Sequence, residues 1–170
     1  MSRDFPDWID VRRSAQSGRR FSGRARLEWM PRVLDLLDAP GAGDAVGFEV
    51  SADSDEQGVA RLRVHVHGEV PMTCQRTLAR YAQPIDSESD VAVVASEAEV
   101  DALPEELEPK LVPDGRLRLM ELIEDELLLA LPLVPRDPAS APVGDAEETR
   151  GTAAEPGPFA ALEKLRRDRD

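Results

Sequence analysis

The sequence predicts an α+β fold, in which an antiparallel sheet of five or six strands, curled toward a barrel, is packed by a few helices. Three observations predict this class. Segments of alternating apolar and polar residues recur through the first half of the chain. A leucine-dense segment with helical spacing follows at residues 119–131. Apolar residues make up 41% of the chain but aromatic residues only 4%, so the core must consist mainly of Leu and Val.

Charge is distributed unevenly along the 170 residues. Residues 1–35 carry eight Lys/Arg and five Asp/Glu, a net of +3; residues 36–135 carry seven and 21, a net of −14; residues 136–170 carry six and eight, a net of −2. A surface with the charge of the central part repels RNA at long range and attracts basic partners. Acidity also keeps a protein soluble whatever it binds, so both interpretations stay open.

Segments that would place the chain in a membrane or outside the cell are not evident. The sequence has no apolar run of about 18 residues, and residues 1–8 lack the apolar core of a signal peptide. The single cysteine, Cys74, cannot form a disulfide within the chain. We therefore expect a cytoplasmic protein that does not associate with membranes.

The N-terminal part predicts a short helix at residues 10–16, a strand at 19–27 and a second short helix at 29–37, with Pro31 in its first turn. By period two, the strand places three arginines on one face and one on the other. Such charges discourage edge-to-edge association if the strand lies at a sheet edge, and they are also candidate RNA contacts. The four residues are Arg19, Arg20, Arg24 and Arg26.

The central part predicts the remaining strands. Strands at residues 46–50 and 59–70 flank a polar hairpin loop at 51–58. A turn at Gly68 and Glu69 would then return the chain along residues 70–78. Further strands are expected at 79–85 and 90–95, joined by a polar loop at 86–89.

His65 and His67 share one face of the long strand, two residues apart. Such a pair can ligate zinc, and together with Cys74 it would offer ligands for a metal-dependent enzyme. Two histidines on a solvated strand face are the simpler interpretation. The sequence has no phosphate-binding loop, nucleophile elbow or metal-binding helix motif, so we expect no catalysis and no cofactor.

A short helix is expected at residues 96–103, where Ser96 and Glu99 have the spacing of a capping box. A turn at Asp114 and Gly115 precedes the principal helix, which Pro132 ends. The residues at helical spacing on its apolar stripe are Leu119, Leu122, Ile123, Glu126, Leu127 and Ala130.

Other faces of the principal helix carry Glu121, Glu124 and Asp125, which form a narrow acidic seam. This seam is either the solvated edge of a core helix or, with the remaining leucines, a surface offered to a partner.

Composition changes after residue 135. Residues 136–157 are rich in Pro, Ala, Gly, Asp and Glu without apolar periodicity, which predicts a disordered acidic linker between a domain at 1–135 and a C-terminal helix at 158–170. In that helix Phe159, Leu162 and Leu165 recur three residues apart beside basic residues. Such a short amphipathic helix is marginal alone, so it either docks on the domain or folds on a partner.

Three segments carry a resemblance to a known family. They are residues 124–132, with Glu124, Asp125, Glu126 and Pro132; residues 72–76, with Cys74, Gln75 and Arg76; and residues 158–165. In this order and spacing they resemble the YceD family, the large ribosomal RNA subunit accumulation proteins of bacteria and plastids.

The resemblance implies a non-enzymatic ribosome-biogenesis factor that supports accumulation of 23S rRNA. With the net charge of −14 in residues 36–135 and the apolar–acidic helix, we expect the partner to be a ribosomal protein or the pre-ribosomal large-subunit particle, and the four arginines leave rRNA contact as an alternative. Many members resemble a Cys-x-x-Cys at residues 74–77, but Thr77 holds the second position in this chain, so we expect no thiolate zinc site.

Overall fold

The computed structural model describes residues 5–104 and 107–140. In chain order the elements are β1 Trp8–Asp10, α1 Val11–Gln16, β2 Arg20–Arg26, a 3-10 turn Leu27–Trp29, α2 Pro31–Leu34, β3 Ala45–Ser54, β4 Ala60–Thr73, β5 Arg80–Val94, α3 Glu97–Val100, β6 Glu108–Leu111, β7 Arg116–Arg118 and α4 Leu119–Ala130. Of the linker predicted at residues 136–157, residues 141–157 lie outside the described residues, as does the predicted C-terminal helix, so these domain boundaries stay predictions.

One five-stranded sheet dominates the fold, with strand order β2-β3-β4-β5-β6. Its pairs are antiparallel except β5 with β6, which run parallel. β1 and β7 form a separate antiparallel pair. The predicted α+β class is confirmed, and the five-stranded sheet stays open rather than closing into a barrel, because β2 and β6 are its two edges. Within the described ranges, no helix combines the length and apolarity that a membrane crossing requires.

The long β4–β5 hairpin corrects two sequence predictions. The turn expected at Gly68 and Glu69 is wrong, because β4 continues through both residues to Thr73. The separate strands expected at 70–78, 79–85 and 90–95 are also wrong: β5 is one strand, and its supposed loop at 86–89 pairs with β4 throughout. The polar residues that suggested a loop alternate between the two faces of this strand. The chain instead turns at residues 74–79, where the Cys74 N–H donates to the Ala79 carbonyl and the Leu78 N–H to the Cys74 carbonyl, each at 2.8 Å.

Smaller differences occur at element ends. The loop predicted at 51–58 is shorter, because β3 extends to Ser54, and the Asp55 carboxylate accepts hydrogen bonds from the Gln57 and Val59 N–H groups. Ser96 precedes α3 but its side chain makes no capping hydrogen bond, so the capping box is wrong; the Glu99 carboxylate instead accepts from the Ala95 N–H at 2.8 Å. The helix at 10–16 is confirmed and is capped by the Asp10 side chain.

The core lies between the sheet and α4. Leu119, Ile123 and Leu127 on α4 are fully buried, as are Phe48, Leu62 and Val64 on the sheet. The apolar stripe predicted for this helix is therefore the stripe that packs inward. Buried aliphatic side chains are the main favourable contribution to folding, at roughly 1.5–3 kcal/mol each.

Two leucines of α4 provide a matched test of this packing. Leu127 is fully buried, whereas 70% of Leu129 is exposed. We expect Leu127→Ala to lower the free energy of unfolding by about 2–5 kcal/mol because it leaves a cavity. Leu129→Ala should change it by no more than about 0.5 kcal/mol. Urea denaturation measures both, and equal losses would contradict the orientation of α4.

Candidate functional site

The acidic residues of α4 are where the structure differs most from the sequence prediction. Glu124 is only 4% exposed. Its carboxylate accepts hydrogen bonds from the backbone N–H of Arg32 at 2.8 Å and from the Arg32 guanidinium at 2.9 and 3.1 Å. These bonds raise the pKa of Arg32, with Glu124 as the largest cause and Asp125 as the next. α2 has no side-chain cap of its own, so Glu124 satisfies a donor in its first turn.

Asp125, the next residue, is half-buried and has two cationic partners. Its carboxylate lies 2.8 Å from Arg32 Nη1 and 2.6 Å from Lys110 Nζ on β6. Burial by itself would raise the pKa of Asp125, but the hydrogen bonds from Lys110 and Arg32 outweigh burial and leave this pKa below its ordinary value. Asp125 therefore connects α4 to both α2 and the edge strand β6.

Glu126 faces the sheet and is 5% exposed. It accepts a hydrogen bond from the Ser87 hydroxyl at 2.5 Å and another from the Ser89 hydroxyl. Both serines lie on β5, opposite the buried Val66 and Val64 of β4, so they face the core. A carboxylate buried among apolar side chains needs such donors to offset its lost hydration.

The three consecutive carboxylates of α4 thus bind three different elements. We call these carboxylates and their partners the α4 clasp; the partners are Arg32, Lys110, Ser87 and Ser89. The predicted acidic seam is wrong as a solvated edge, since Glu124 is buried and its neighbour is paired within the chain. Glu121 is exposed and pairs with Arg118 at 3.0 Å. Contact of Glu121, Glu124 and Asp125 with a partner stays a prediction.

The cysteine-containing segment forms the loop between β4 and β5. Cys74 has no exposed surface, and its sulfur accepts a hydrogen bond from the Asp137 N–H at 3.3 Å. A hydrogen bond with the Thr77 side chain, the Asp137 bond and further backbone bonds lower the pKa of Cys74 to about 6. Thr77 thus donates to the sulfur from the position of the second cysteine.

Gln75 and Arg76 hold the chain that follows α4. The Gln75 N–H donates to the Pro135 carbonyl at 2.8 Å. The Arg76 guanidinium donates to the Asp137 carbonyl at 3.1 Å and to the Ser140 hydroxyl at 3.0 Å. Residues 72–76 and the segment after 124–132 are therefore in direct contact. Residues 72–76 and 124–132, which carry the family resemblance in this part of the chain, therefore hold elements of the fold together.

The residues of the metal-enzyme alternative are not brought together. His65 Nε2 lies 2.7 Å from the Asp86 carboxylate, which raises the pKa of His65. The His65 and His67 rings are 5.0 Å apart on the outer face of β4. Cys74 follows His65 by nine residues, or about 30 Å of extended strand. No group of three or more His, Cys, Asp or Glu suited to a metal ion occurs in residues 5–104 and 107–140.

A cleft of about 600 Å³ lies between α1, the β3–β4 loop and the α3 region. Among the described residues that line it, Arg12 and Glu99 are the charged ones. The Glu99 carboxylate is engaged by the Ala95 N–H. The lining therefore has no nucleophile held against a base, which is the arrangement that covalent and acid–base catalysis need.

The four predicted RNA-binding arginines lie on or beside β2, which is an edge strand as expected for a charged strand. Arg20 and Arg24 are exposed on its outer face, and Arg24 also donates to the Ala45 carbonyl at 3.3 Å. Arg19 lies over the Phe21 ring at 5.3 Å, and Arg26 lies over the Trp29 ring at 5.5 Å. The four side chains therefore do not form one uniform stripe.

The sequence analysis did not identify the residues that bind the carboxylates of the α4 clasp, which are Arg32, Lys110, Ser87 and Ser89. Arg32 precedes Glu124 by 92 residues, and no local pattern connects them. Ser87 and Ser89 could have been found, because they alternate with Asp86, Glu88 and Asp90 at the period of a strand. Phe159, Leu162 and Leu165 lie outside the described residues.

Comparison with known proteins identifies the family of this chain. The profile of the family described as "Large ribosomal RNA subunit accumulation protein YceD" matches residues 62–166. A Haemophilus influenzae protein named large ribosomal RNA subunit accumulation protein YceD is 34% identical over 119 residues, covering 66% of this chain and 68% of that protein. No solved structure matches the chain.

Two glutamates of α4 test the clasp. Glu124→Ala should lower the free energy of unfolding by about 1.5–3 kcal/mol, because it removes hydrogen bonds to a charged group and leaves the α2 donor unsatisfied. Glu121→Ala breaks an exposed pair, so its cost should stay below about 1 kcal/mol. Urea denaturation of both variants makes the comparison. A Glu124→Ala protein as stable as Glu121→Ala would show that the clasp contributes little.

Proposed function

We propose a role in ribosome assembly, from the premise that the chain belongs to the YceD family of large ribosomal RNA subunit accumulation proteins. Specifically, the protein supports the synthesis, processing or accumulation of 23S rRNA in the cytoplasm. The family description and the name of the Haemophilus influenzae relative both state accumulation of large-subunit rRNA. The profile match over residues 62–166 is the observation that carries this proposal.

The proposed mechanism is non-covalent binding of a basic component of the assembling large subunit, such as a ribosomal protein. Residues 36–135 carry a net charge of −14, which attracts a basic partner and raises its association rate. Within this region Asp86, Glu88 and Asp90 are all exposed and alternate along the outer face of β5. Their pairing with Arg63 and His65 is at the surface, where such pairs are weak and exchange readily.

Two further surfaces belong to this proposal. On α4 we propose that Glu121 is the leading contact, since Glu124 and Asp125 are already held by Arg32 and Lys110. We also propose that the C-terminal segment with Phe159, Leu162 and Leu165 supplies apolar contacts. A non-enzymatic role agrees with the hydrogen bonds that Glu124 and Glu126 accept, because these bonds hold α4 in place and leave neither carboxylate for acid–base chemistry.

The test combines charge variants with rRNA measurement in cells. Asp86→Asn, Glu88→Gln and Asp90→Asn together should reduce crosslinks to basic ribosomal proteins and lower the ratio of large- to small-subunit rRNA. The variant replaces the chromosomal copy, and both rRNAs are quantified from growing cells.

A matched control carries Asp35→Asn, Glu56→Gln and Asp101→Asn, which remove the same charge from exposed sites away from β5. Equal effects of the two triple variants would show that net charge alone matters. Normal rRNA ratios in cells that lack the protein would refute the proposed function itself.

A second candidate function is direct RNA binding through Arg19, Arg20, Arg24 and Arg26. The position of β2 at the sheet edge, with Arg20 and Arg24 exposed, is the observation that favours it. Each phosphate neutralised on single-stranded RNA adds about 0.7 to the slope of log K against log salt.

The Arg20→Ala, Arg24→Ala double variant should therefore reduce that slope by about 1.4 in a filter-binding titration. Arg19→Ala, Arg26→Ala is the matched control, and its slope should fall less, because Arg26 is already paired with Glu28 at 3.0 Å and Arg19 precedes β2 on the face opposite Arg20 and Arg24. Binding without salt dependence would eliminate this candidate.

A further inference from the structure

Arginines lie over aromatic rings four times within residues 5–104 and 107–140. The pairs are Arg19 over Phe21, Arg26 over Trp29, and both Arg116 and Arg118 over Trp8. About one such pair in 70–80 residues is usual, so roughly two would be expected here. All three rings lie in residues 1–35, the part of the chain with net positive charge, whereas Arg116 and Arg118 come from the acidic central part.

The Trp8 cluster is the most exposed of these arrangements. β1 and β7 pair so that Trp8 lies opposite Arg118 and Asp10 lies opposite Arg116, which puts the indole beside two arginines on one face. The guanidinium carbons lie 5.5 and 5.4 Å from the ring centroid. Even so, 47% of Trp8 remains exposed. A large aromatic side chain left this accessible between cations is typical of an interaction surface.

The carboxylates near the cluster are already engaged. Asp10 accepts a hydrogen bond from the Arg13 N–H at 2.9 Å, and Asp114 accepts from the Arg116 N–H at 3.1 Å. Glu121 pairs with Arg118 at the surface. Among the described residues no carboxylate forms an ion pair with Arg116. The Arg116 guanidinium is therefore available to an anion supplied from outside.

We propose that Trp8, Arg116 and Arg118 form a stacking site for one unpaired base of single-stranded RNA. The indole supplies an aromatic face for the base, and the two guanidinium groups contact the adjoining phosphates. Arg12 and Arg13, exposed on α1 directly after β1, add positive charge to this part of the chain. An acidic peptide would satisfy the arginines but not the aromatic face, so the chemistry favours RNA. The choice of RNA rests on the proposed role with large-subunit rRNA, whereas the site itself rests on the Trp8 geometry.

Intrinsic fluorescence tests the site directly, because the chain has only two tryptophans. Trp29→Phe leaves Trp8 as the single reporter in the full-length protein. Titration with a single-stranded oligouridylate of about ten nucleotides should quench this fluorescence. Trp8→Ala in the otherwise native chain should weaken binding about 5- to 150-fold, the range that corresponds to 1–3 kcal/mol of base stacking. Trp8→Phe keeps an aromatic face and should retain most of the affinity.

Arg116→Ala with Arg118→Ala should reduce the salt slope by about 1.4, whereas Trp8→Ala should leave it nearly unchanged. Urea denaturation confirms that each variant is folded.

Three results would overturn the inference: no binding of the oligonucleotide by the native chain, equal affinity of the native and Trp8→Ala proteins, or tighter binding of an acidic peptide than of RNA. Each is obtained with purified protein. They are thus separate from the cellular rRNA ratio, whose failure to change would count against the proposed function instead.

Discussion

The arrangement of the domain depends on how three adjacent carboxylates of α4 are neutralised. Consecutive residues of a helix point about 100° apart, so Glu124, Asp125 and Glu126 cannot all face one element. Glu124 reaches α2, Asp125 reaches both α2 and β6, and Glu126 reaches β5. An ionised group loses much of its hydration on burial and is tolerated only where cations or donors replace the water. The helix therefore has one rotation about its axis that satisfies all three groups, and the same rotation buries Ile123 and Leu127.

The chain that follows α4 is held at the far end of the β4–β5 hairpin. Residues 135–140 hydrogen-bond to Gln75, Arg76 and the sulfur of Cys74, so the hairpin loop and the helix share one connection. The hydroxyl of Thr77 and a backbone N–H stabilise the thiolate and draw the pKa of Cys74 to about 6. Hydrogen bonds can thus close this loop without a second thiolate. The residues that make the family recognisable are, in this chain, largely those that hold the framework together.

Because the carboxylates of α4 are paired inside the domain, the charged surfaces left for partners lie elsewhere. The most conspicuous acids of the sequence are internal, while the alternating acids of β5 and the arginines of β2 and β7 are exposed. Strand order places β2 and β5 in different parts of the sheet, with β3 and β4 between them. Both sets of charges nevertheless lie on the same outer face, because the strand registers connect Arg20 to Asp90 and Arg24 to Asp86 across the sheet. One face of the sheet therefore carries a cationic edge strand and an acidic strand about 14 Å apart.

The sequence by itself determined the α+β class, the helix over α4, its apolar stripe and the family, because local periodicity and a distinctive residue run carry that information. Only the tertiary structure decided that β5 is a single strand, that Glu124 and Glu126 are buried, and that Trp8 lies beside Arg116 and Arg118. Each of these outcomes depends on a partner distant in sequence: β4 pairs with the polar stretch of β5, Arg32 lies 92 residues before Glu124, and β7 pairs with β1. Whether a polar residue is solvated or buried is set by the donors that folding brings to it, and a local pattern contains no record of them.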